Sequence, residues 1–530
     1  MENNQPKTYI NKKLLFLDFC FFLISIYLGL LIFHVDIKSI INKVDVKSTI
    51  NKIDIKSIIN KLSLNRSVCS RCNVILISLD TLGSNHLPCY GYNRNTAQNL
   101  CRFANDNILF TNSFSNASWT LPSHFSIFTS LYPNHHNMLG DESKKLNSSI
   151  STMAEFFKKA DYKTIYAGPL DDPYLPLNKG IERGFDTISD SLSPYTLESW
   201  DEAIAQLIKD NSQKRSTFLF LHTYWVHAPY FVNDILEAND KRIFTNDSYP
   251  DIPLSEASYS IFTKEFMDYL IESYSEKIKE DNGTDKKIYQ DIVDGLKGAR
   301  NITEAEKIYN NLIPYPAIRG DDLSTFYFNQ INKSSERAAY AKSLYDERIY
   351  SLDKKLSMIF DLVSNKELAN NTIIIVTSDH GEEFMEHGTI SHPADHLYNT
   401  TTSVPLIMYV PGIKQRKIDS LVQGVDILPT ILTLTGLKDS KNRFDGIDLT
   451  DNIRARKQFI SNKYVISEGP NDSIRDNRWK LYVNYPEGED NLYELYDLYN
   501  DPQEKNNFAS QEPKIIKKLR DNLNRIIYKK

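Results

Sequence analysis

Three short runs of consecutive apolar residues stand out along the chain. They span Asn73–Leu79, Thr217–Leu221 and Thr372–Thr377. None of them alternates regularly between polar and apolar positions, and continuous apolar runs are typical of strands buried on both faces of a parallel sheet. The pattern therefore predicts a core of buried parallel strands.

A longer apolar stretch, Leu14–Phe33, lies near the start of the chain. About 20 such residues span a bilayer as a helix. Lys7, Lys12 and Lys13 precede it, so the positive-inside tendency places residues 1–13 in the cytoplasm. We predict an uncleaved transmembrane signal anchor that leaves the rest of the chain extracytoplasmic, in the periplasm or at the cell surface. A cleaved signal peptide and a buried soluble helix are the alternatives.

Residues 34–66 contain three similar nine-residue units, DIKSIINKV, DVKSTINKI and DIKSIINKL. Apolar residues have helical spacing within each unit, but nine residues at about 100° each turn the apolar face half-way round by the next unit. We predict a stalk of short helical segments that begin at Asp36, Asp45 and Asp54. A disordered expansion is the alternative.

Composition adds few constraints. The 530 residues are 41% hydrophobic and 25% charged, enough for one large globular domain and a smaller one. The net charge of −6 gives no electrostatic reason to expect a nucleic-acid partner. Four cysteines, at positions 69, 72, 89 and 101, lie near the start of the globular part. Local disulfides are expected if this part is exported, and free thiols are the alternative.

Candidate chemistry follows the apolar runs. Asp80 comes directly after the first run, and Asp379-His380 follows the third after the single residue Ser378. Ligand sites of α/β sheets gather at the carboxyl ends of the strands, and an Asp beside an imidazole suits a divalent cation. One Asp alone is more often a helix cap, but two such strand ends favour a metal site. The stretch SWTLPSHF adds the hydroxyl of Thr120, and HAPY adds His227.

The motifs in their order along the chain resemble the sulfatase family of the alkaline phosphatase superfamily. The matching stretches are NVILISLDTL, TLPSHFSIFTSLYP, HAPY, NTIIIVTSDHGEEF, SVPLIMYVPG, GVDILPTILTLTG, RWKLY and NLYELYDLYNDPQEKNNFAS. The resemblance implies a doubly wound α/β catalytic domain over 70–438 and a small α+β subdomain over 439–530. Residues 231–339 lose the family pattern and are expected to form a variable insert over the site.

The resemblance also implies the site residues. It places one divalent metal ion on Asp80, Thr120, Asp379 and His380. Thr81 stands where many sulfatases have a second Asp, and we assign it to substrate binding. Four ligands suit Mn²⁺, Mg²⁺ or Zn²⁺ better than Ca²⁺, which prefers six to eight oxygens, although Ca²⁺ stays open.

Thr120 bears on the choice between sulfate and phosphate. Many sulfatases oxidise a Cys or Ser at this position to formylglycine, but the methyl group on a threonine Cβ prevents an aldehyde. A phosphothreonine, in contrast, can be attacked at phosphorus by water or by an acceptor alcohol. We therefore expect no formylglycine and a phosphoester substrate, as in the membrane-anchored phosphoglycerol and phosphoethanolamine transferases that this chain resembles.

The resemblance suggests further histidines for the substrate. His124 occupies the position of a family Arg, and with His227 it is a candidate to hold phosphoryl oxygens or protonate the leaving group. His387 and His396 are assigned to substrate binding, and His392 is an alternative to either. The substrate is expected to be a small-molecule, lipid-headgroup or glycan ester. A true sulfuric ester hydrolase and a catalytically inactive binding protein are the alternative functions.

Overall fold

The computed structural model describes residues 69–528, apart from 142, 170–173, 191–196, 229, 231–242, 246–263, 281–285, 314–321, 323–324, 327, 333, 365, 438–442, 455–461 and 487–491. The predicted anchor over 14–33 and the predicted stalk over 34–66 lie outside the described residues. Among the helices that are described, none is both long and apolar enough to cross a membrane.

The described part of the chain contains fourteen strands in three sheets. In chain order they are β1 (Asn73–Leu79), β2 (Ile108–Phe114), β3 (Lys163–Gly168), β4 (Thr187–Asp190), β5 (Thr217–Thr223), β6 (Thr372–Thr377), β7 (Glu383–Phe384), β8 (Ile390–Ser391), β9 (Leu406–Tyr409), β10 (Arg416–Gln423), β11 (Val465–Glu468), β12 (Asp472–Arg475), β13 (Trp479–Asn484) and β14 (Leu492–Asp497). The large sheet has the order β10-β2-β9-β6-β1-β5-β3-β4, and β7 pairs with β8.

The α-helices surround these sheets. They are α1 (Gln98–Asp106), α2 (Thr120–Thr129), α3 (Pro133–His136), α4 (Met153–Lys159), α5 (Glu198–Ser212), α6 (Lys264–Glu280), α7 (Lys286–Gly298), α8 (Ile302–Leu312), α9 (Ser335–Phe360), α10 (Lys366–Ala369), α11 (Asn399–Thr402), α12 (Ile427–Thr435), α13 (Thr450–Arg454) and α14 (Pro513–Leu523). Helices α6 to α8 lie in the predicted insert and share a hydrophobic core of their own.

The central strands explain the long apolar runs. Every residue of β1, β5 and β6 is buried, because helices cover both faces of the sheet. The predicted bounds of β1 and β6 are confirmed, whereas β5 extends two residues beyond the predicted end and includes His222. β1 lies between β5 and β6 and is parallel to both, with Ser78 beside His222 on one side and Thr377 on the other. This register places the carboxyl ends of β1, β5 and β6 side by side at one edge of the sheet.

The sheet is mixed rather than purely parallel. β9 runs antiparallel to both of its neighbours, β2 and β6, while the remaining pairs are parallel. β11 to β14 form a separate antiparallel sheet that packs against α14, with Ile474, Leu481 and Leu519 in its core. The predicted α/β domain with a small C-terminal α+β subdomain is confirmed.

Two disulfides lie near the start of the described chain. They join Cys69 to Cys72 and Cys89 to Cys101. The second links the turn before α1 to α1 itself, since Cys101 lies within that helix. The expectation of local disulfides agrees with this structure, and the alternative of free thiols does not.

Candidate functional site

Asp80 lies at the carboxyl end of the central strand β1. Its side chain is fully buried, and its backbone N–H donates to the carbonyl of Thr223 at 3.1 Å. One carboxylate oxygen, Oδ2, is 3.3 Å from His222 Nε2 and 3.5 Å from Thr120 Oγ1. Asp80 therefore connects the end of β5 with the first residue of α2.

Asp379 and His380 follow β6 and face Asp80. The Asp379 Oδ1 atom accepts a hydrogen bond from the backbone N–H of Thr81 at 3.3 Å, and its Oδ2 atom lies 3.3 Å from His380 Nε2. Thr81 makes this contact with a φ of 60°, a left-handed conformation that costs a β-branched residue roughly 1–3 kcal/mol. Such strain is retained where surrounding contacts hold the chain in place.

Thr120 is the first residue of α2. The helix begins there, and Pro122 is tolerated in its first turn because N–H groups of the first turn lack helical partners. The Thr120 side chain is 3% exposed, and its Oγ1 lies 3.4 Å from His380 Nε2. The partial positive charge of a helix N-terminus favours negative charge on this oxygen.

The donor atoms of Asp80, Asp379 and His380 fit a metal ion. They lie within 4.8 Å of one another, and all three residues are buried. The Nδ1–H of His380 donates to the Gly381 carbonyl at 2.9 Å, which leaves the lone pair of Nε2 facing the carboxylates. Asp379 Oδ2 has no hydrogen bond among the described residues. An unprotonated nitrogen among buried carboxylate oxygens needs a cation, so the donor set suits a divalent ion.

The pKa values agree with a cation site. Burial lowers the pKa of His380, which favours the neutral ligand form of its ring. Burial opposes ionisation of Asp379, yet the neighbouring rings of His380 and His124 hold the pKa of this carboxyl below its usual range. The lowered pKa of Asp379 favours the ionised carboxyl that a metal ion requires.

His124 lies behind Thr120 and has both ring nitrogens engaged. Nδ1 donates to the Thr120 carbonyl at 2.9 Å, and Nε2 accepts from the Ser78 hydroxyl at 2.9 Å. The side chain is fully buried, and Nδ1 also lies 3.6 Å from Asp379 Oδ2. This arrangement fixes the first turn of α2 against the end of β1.

His227 and His392 lie beside the metal cluster. The His227 Nδ1–H donates to the Ala228 carbonyl at 2.6 Å, and its Nε2 has no hydrogen bond among the described residues. The ring of His392 is 5.2 Å from that of His227 and 4.3 Å from that of His380, between centroids. His392 Nδ1 is 2.9 Å from Glu382 Oε1, and burial raises the pKa of Glu382 to about 7.

His387 and His396 lie in different surroundings. His396 Nδ1 is 3.3 Å from Glu383 Oε2, and the ring of His387 stacks on Tyr398 with centroids 3.7 Å apart. Of the three histidines predicted after the SDHG strand, His392 is therefore the one beside His380. The Thr81 hydroxyl donates to the Asp80 carbonyl at 2.7 Å, which engages its proton locally.

The site includes two residues that the sequence did not assign to it. His222 reaches Asp80 because β5 pairs directly with β1, and only the strand order identifies that pairing. Glu382 is adjacent to the SDHG motif, and its contact with His392 depends on the turn through β7 and β8. The position of Glu382 directly after SDHG was the only sequence signal for it.

Family comparisons agree with this geometry. A model of the sulfatase family matches residues 72–437, and a model described as N-sulphoglucosamine sulphohydrolase, C-terminal, matches residues 385–529. The first match alone covers more than half of the chain and includes Asp80, Thr120, Asp379 and His380.

Individual relatives are distant but span most of the chain. Arylsulfatase K of Mus musculus is 25% identical over 437 residues, which cover 79% of this chain and 72% of that protein. The Delta 4,5-hexuronate-2-O-sulfatase of Bacteroides thetaiotaomicron is 23% identical over 482 residues, covering 84% and 86%. The phosphonate monoester hydrolase of Agrobacterium radiobacter shares the fold with a TM-score of 0.59 at 17% identity, covering 86% of this chain and 95% of that one. This chain thus belongs to the sulfatase family of hydrolytic enzymes in the alkaline phosphatase superfamily.

Proposed function

We propose that this protein cleaves or transfers phosphate esters with Thr120 as the nucleophile and without formylglycine. The observation that carries the proposal is the position of the Thr120 hydroxyl, at the start of α2 and 3.4–3.5 Å from His380 and Asp80. A threonine at this position cannot form an aldehyde, but its oxygen can attack phosphorus.

One divalent metal ion would be held by Asp80, Asp379, His380 and the Thr120 oxygen. Such an ion lowers the pKa of a bound hydroxyl and offsets the charge that develops on phosphoryl oxygens. Mn²⁺, Mg²⁺ and Zn²⁺ are favoured by three oxygens and one nitrogen, and Ca²⁺ remains the less favoured choice.

The covalent chemistry requires two displacements at phosphorus. Thr120 Oγ forms a bond to phosphorus while the bond to the leaving alcohol breaks, and that alcohol takes up a proton. The Thr120 proton would pass to His227 Nε2, which has no hydrogen bond among the described residues, and from there to the leaving alcohol. His392, which also borders the cluster, is the alternative carrier of this proton. Water or an acceptor alcohol then attacks the phosphothreonine, which restores the Thr120 hydroxyl.

The test compares aryl phosphate monoesters and diesters with aryl sulfates, with added Mn²⁺ and with a chelator. We expect phosphate-ester turnover that the chelator abolishes and that falls at least about a thousandfold in Thr120→Ala. Thr433→Ala, a half-buried threonine on α12, is the matched control and should keep wild-type rates. Unchanged turnover in Thr120→Ala would reject the nucleophile.

Sulfuric ester hydrolysis is the second candidate, because the names of the relatives are those of sulfatases. Mass spectrometry of rapidly quenched protein separates the two, since it identifies the group carried by Thr120. A phosphate group supports the proposal, and preferential cleavage of aryl sulfate supports the second candidate. Absence of turnover with every ester would favour a binding protein that retains the fold.

A further inference from the structure

A cavity of about 820 Å³ lies between the catalytic domain and the C-terminal subdomain. Its walls come from the end of β2, the chain around His387, helix α11, the end of β12 and the loop after β14. None of the metal-cluster residues Asp80, Thr120, Asp379 and His380 lines it. The volume lies in the usual range of small-molecule binding sites.

Arg475 contributes a buried positive charge to this cavity. Its side chain is 9% exposed, and its guanidinium carbon lies 4.1 Å from the centroid of the Phe114 ring. One terminal nitrogen donates to the neutral Asn399 Oδ1 at 3.2 Å, while Nε has no hydrogen bond among the described residues. The carboxylates of Glu504 and Asp476 act against the burial that lowers the pKa of Arg475, but among the described residues neither forms an ion pair with it. The N–H groups of a guanidinium match the oxygens of an anionic group.

Cations outnumber anions in the cavity wall, although the whole chain has a net charge of −6. The charged lining residues are the cations Lys342, Arg475 and Lys505 and the carboxylates Glu386 and Glu504. Each carboxylate already has a lysine partner: Lys342 lies 2.8 Å from Glu386, and the buried Lys480 lies 2.7 Å from Glu504. Among the described residues no ion pair satisfies Arg475 or Lys505, so the wall favours an added negative charge.

The remaining lining suits hydroxyl groups. Side-chain amides of Asn112, Asn399 and Asn477 border the cavity, and an amide offers both donors and an acceptor. Thr400 Oγ1, also in the wall, is buried without a hydrogen bond among the described residues. Tyr499 is 83% exposed at the same cavity and offers an aromatic face to a flat ligand.

We propose that this cavity is a second binding site, separate from the metal cluster, for an anionic sugar, meaning a saccharide unit that carries a sulfate, phosphate or carboxylate group. The anionic group pairs with Arg475 and Lys505. The hydroxyl groups of the sugar bond to the amides and to Thr400. The site borders the catalytic centre, because the carbonyl of Thr400 packs directly against Gly381, the residue after the metal ligand His380.

The experiment is calorimetric titration of the full-length Thr120→Ala chain with glucose 6-sulfate, with glucose and with sodium sulfate. This variant lacks the proposed nucleophile, and the dependence of binding on Arg475 and Lys505 tests the cavity whether or not Thr120 is catalytic. We expect saturable binding of glucose 6-sulfate that is about tenfold or more weaker in Arg475→Gln and in Lys505→Gln, the loss expected for one charge-assisted hydrogen bond.

Further variants test whether glucose 6-sulfate binds at this cavity. Lys505 is exposed, so Lys505→Gln is expected to fold even where the buried Arg475→Gln does not. Lys514→Gln, at an exposed lysine on α14, should bind glucose 6-sulfate like the parent chain, as should Asp379→Asn. Absence of binding, an affinity in both cavity variants equal to that of the parent chain, or sodium sulfate binding as tightly as glucose 6-sulfate would overturn the proposal.

Discussion

Thr120 gains its importance from its neighbours rather than from its residue type. Its oxygen faces Asp80 and His380, while its carbonyl accepts a hydrogen bond from His124. His124 therefore holds the backbone of the residue whose side chain faces the metal cluster. The sequence analysis assigned metal binding to Thr120 and substrate contact to His124. In the structure the two residues are connected within one turn of α2.

His124 provides a test of that coupling. We expect His124→Ala to lower both the melting temperature and kcat, because it removes two buried hydrogen bonds, each worth about 1 kcal/mol, and leaves a cavity behind α2. Thermal unfolding and steady-state kinetics check this. A variant that loses kcat at an unchanged melting temperature would show that His124 contacts substrate instead.

His392 is expected to contribute more to turnover than His387. The His392 ring lies beside His380, whereas the His387 ring stacks on Tyr398. We expect His392→Ala to reduce kcat with aryl phosphate about a hundredfold, in the usual range for a general acid, and His387→Ala to reduce it far less. The reverse order would assign the catalytic proton to His387.

Among the elements, the buried strands were the most predictable from sequence. β1 and β6 are continuous apolar runs because both of their faces are covered, so their bounds could be read directly. Strand ends also located Asp80 and Asp379. The contact between His392 and His380 depends on the turns after β6, and nothing in the spacing of the residues between His387 and His396 distinguishes one histidine from another.

The contact of β11 with α3 should make stability depend on pH. Glu468, at the end of β11, is buried against the backbone and side chain of Asn134, and burial raises its pKa to about 8. A carboxyl with a raised folded pKa stabilises the fold below its unfolded value of about 4.5, and this contribution is lost as the pH rises towards 8. We expect Glu468→Gln to flatten the fall in melting temperature over this range. An unchanged slope would contradict the assignment.

For the whole molecule, metal binding should stabilise the catalytic domain. An ion bound only by the folded state adds about 2.7 kcal/mol at a concentration 100 times its dissociation constant. We expect added Mn²⁺ to raise the melting temperature of the wild type and a chelator to reverse the rise. Asp379→Asn should show a much smaller shift, and an equal shift in this variant would place the stabilising ion elsewhere.

The location of the protein is a further prediction at this scale. The apolar residues 14–33 are expected to keep the full chain in the membrane pellet after an alkaline carbonate wash, and deletion of this stretch should release it. External protease should reach the catalytic domain in intact cells. Release of the full chain by carbonate would contradict the anchor.

Alkylation without reductant should leave Cys69, Cys72, Cys89 and Cys101 unlabelled, because all four are in disulfides.

The spacing of the proposed metal ligands along the chain also limits when the site can form during biosynthesis. Thr120 and His380 meet across 260 residues, and β1 has its partner β6 only after residue 377 has been made. A ribosome must therefore complete most of the protein before the last two ligands can join the first. An ion bound there would be a late addition to the polypeptide, and chains truncated before β6 should emerge without it.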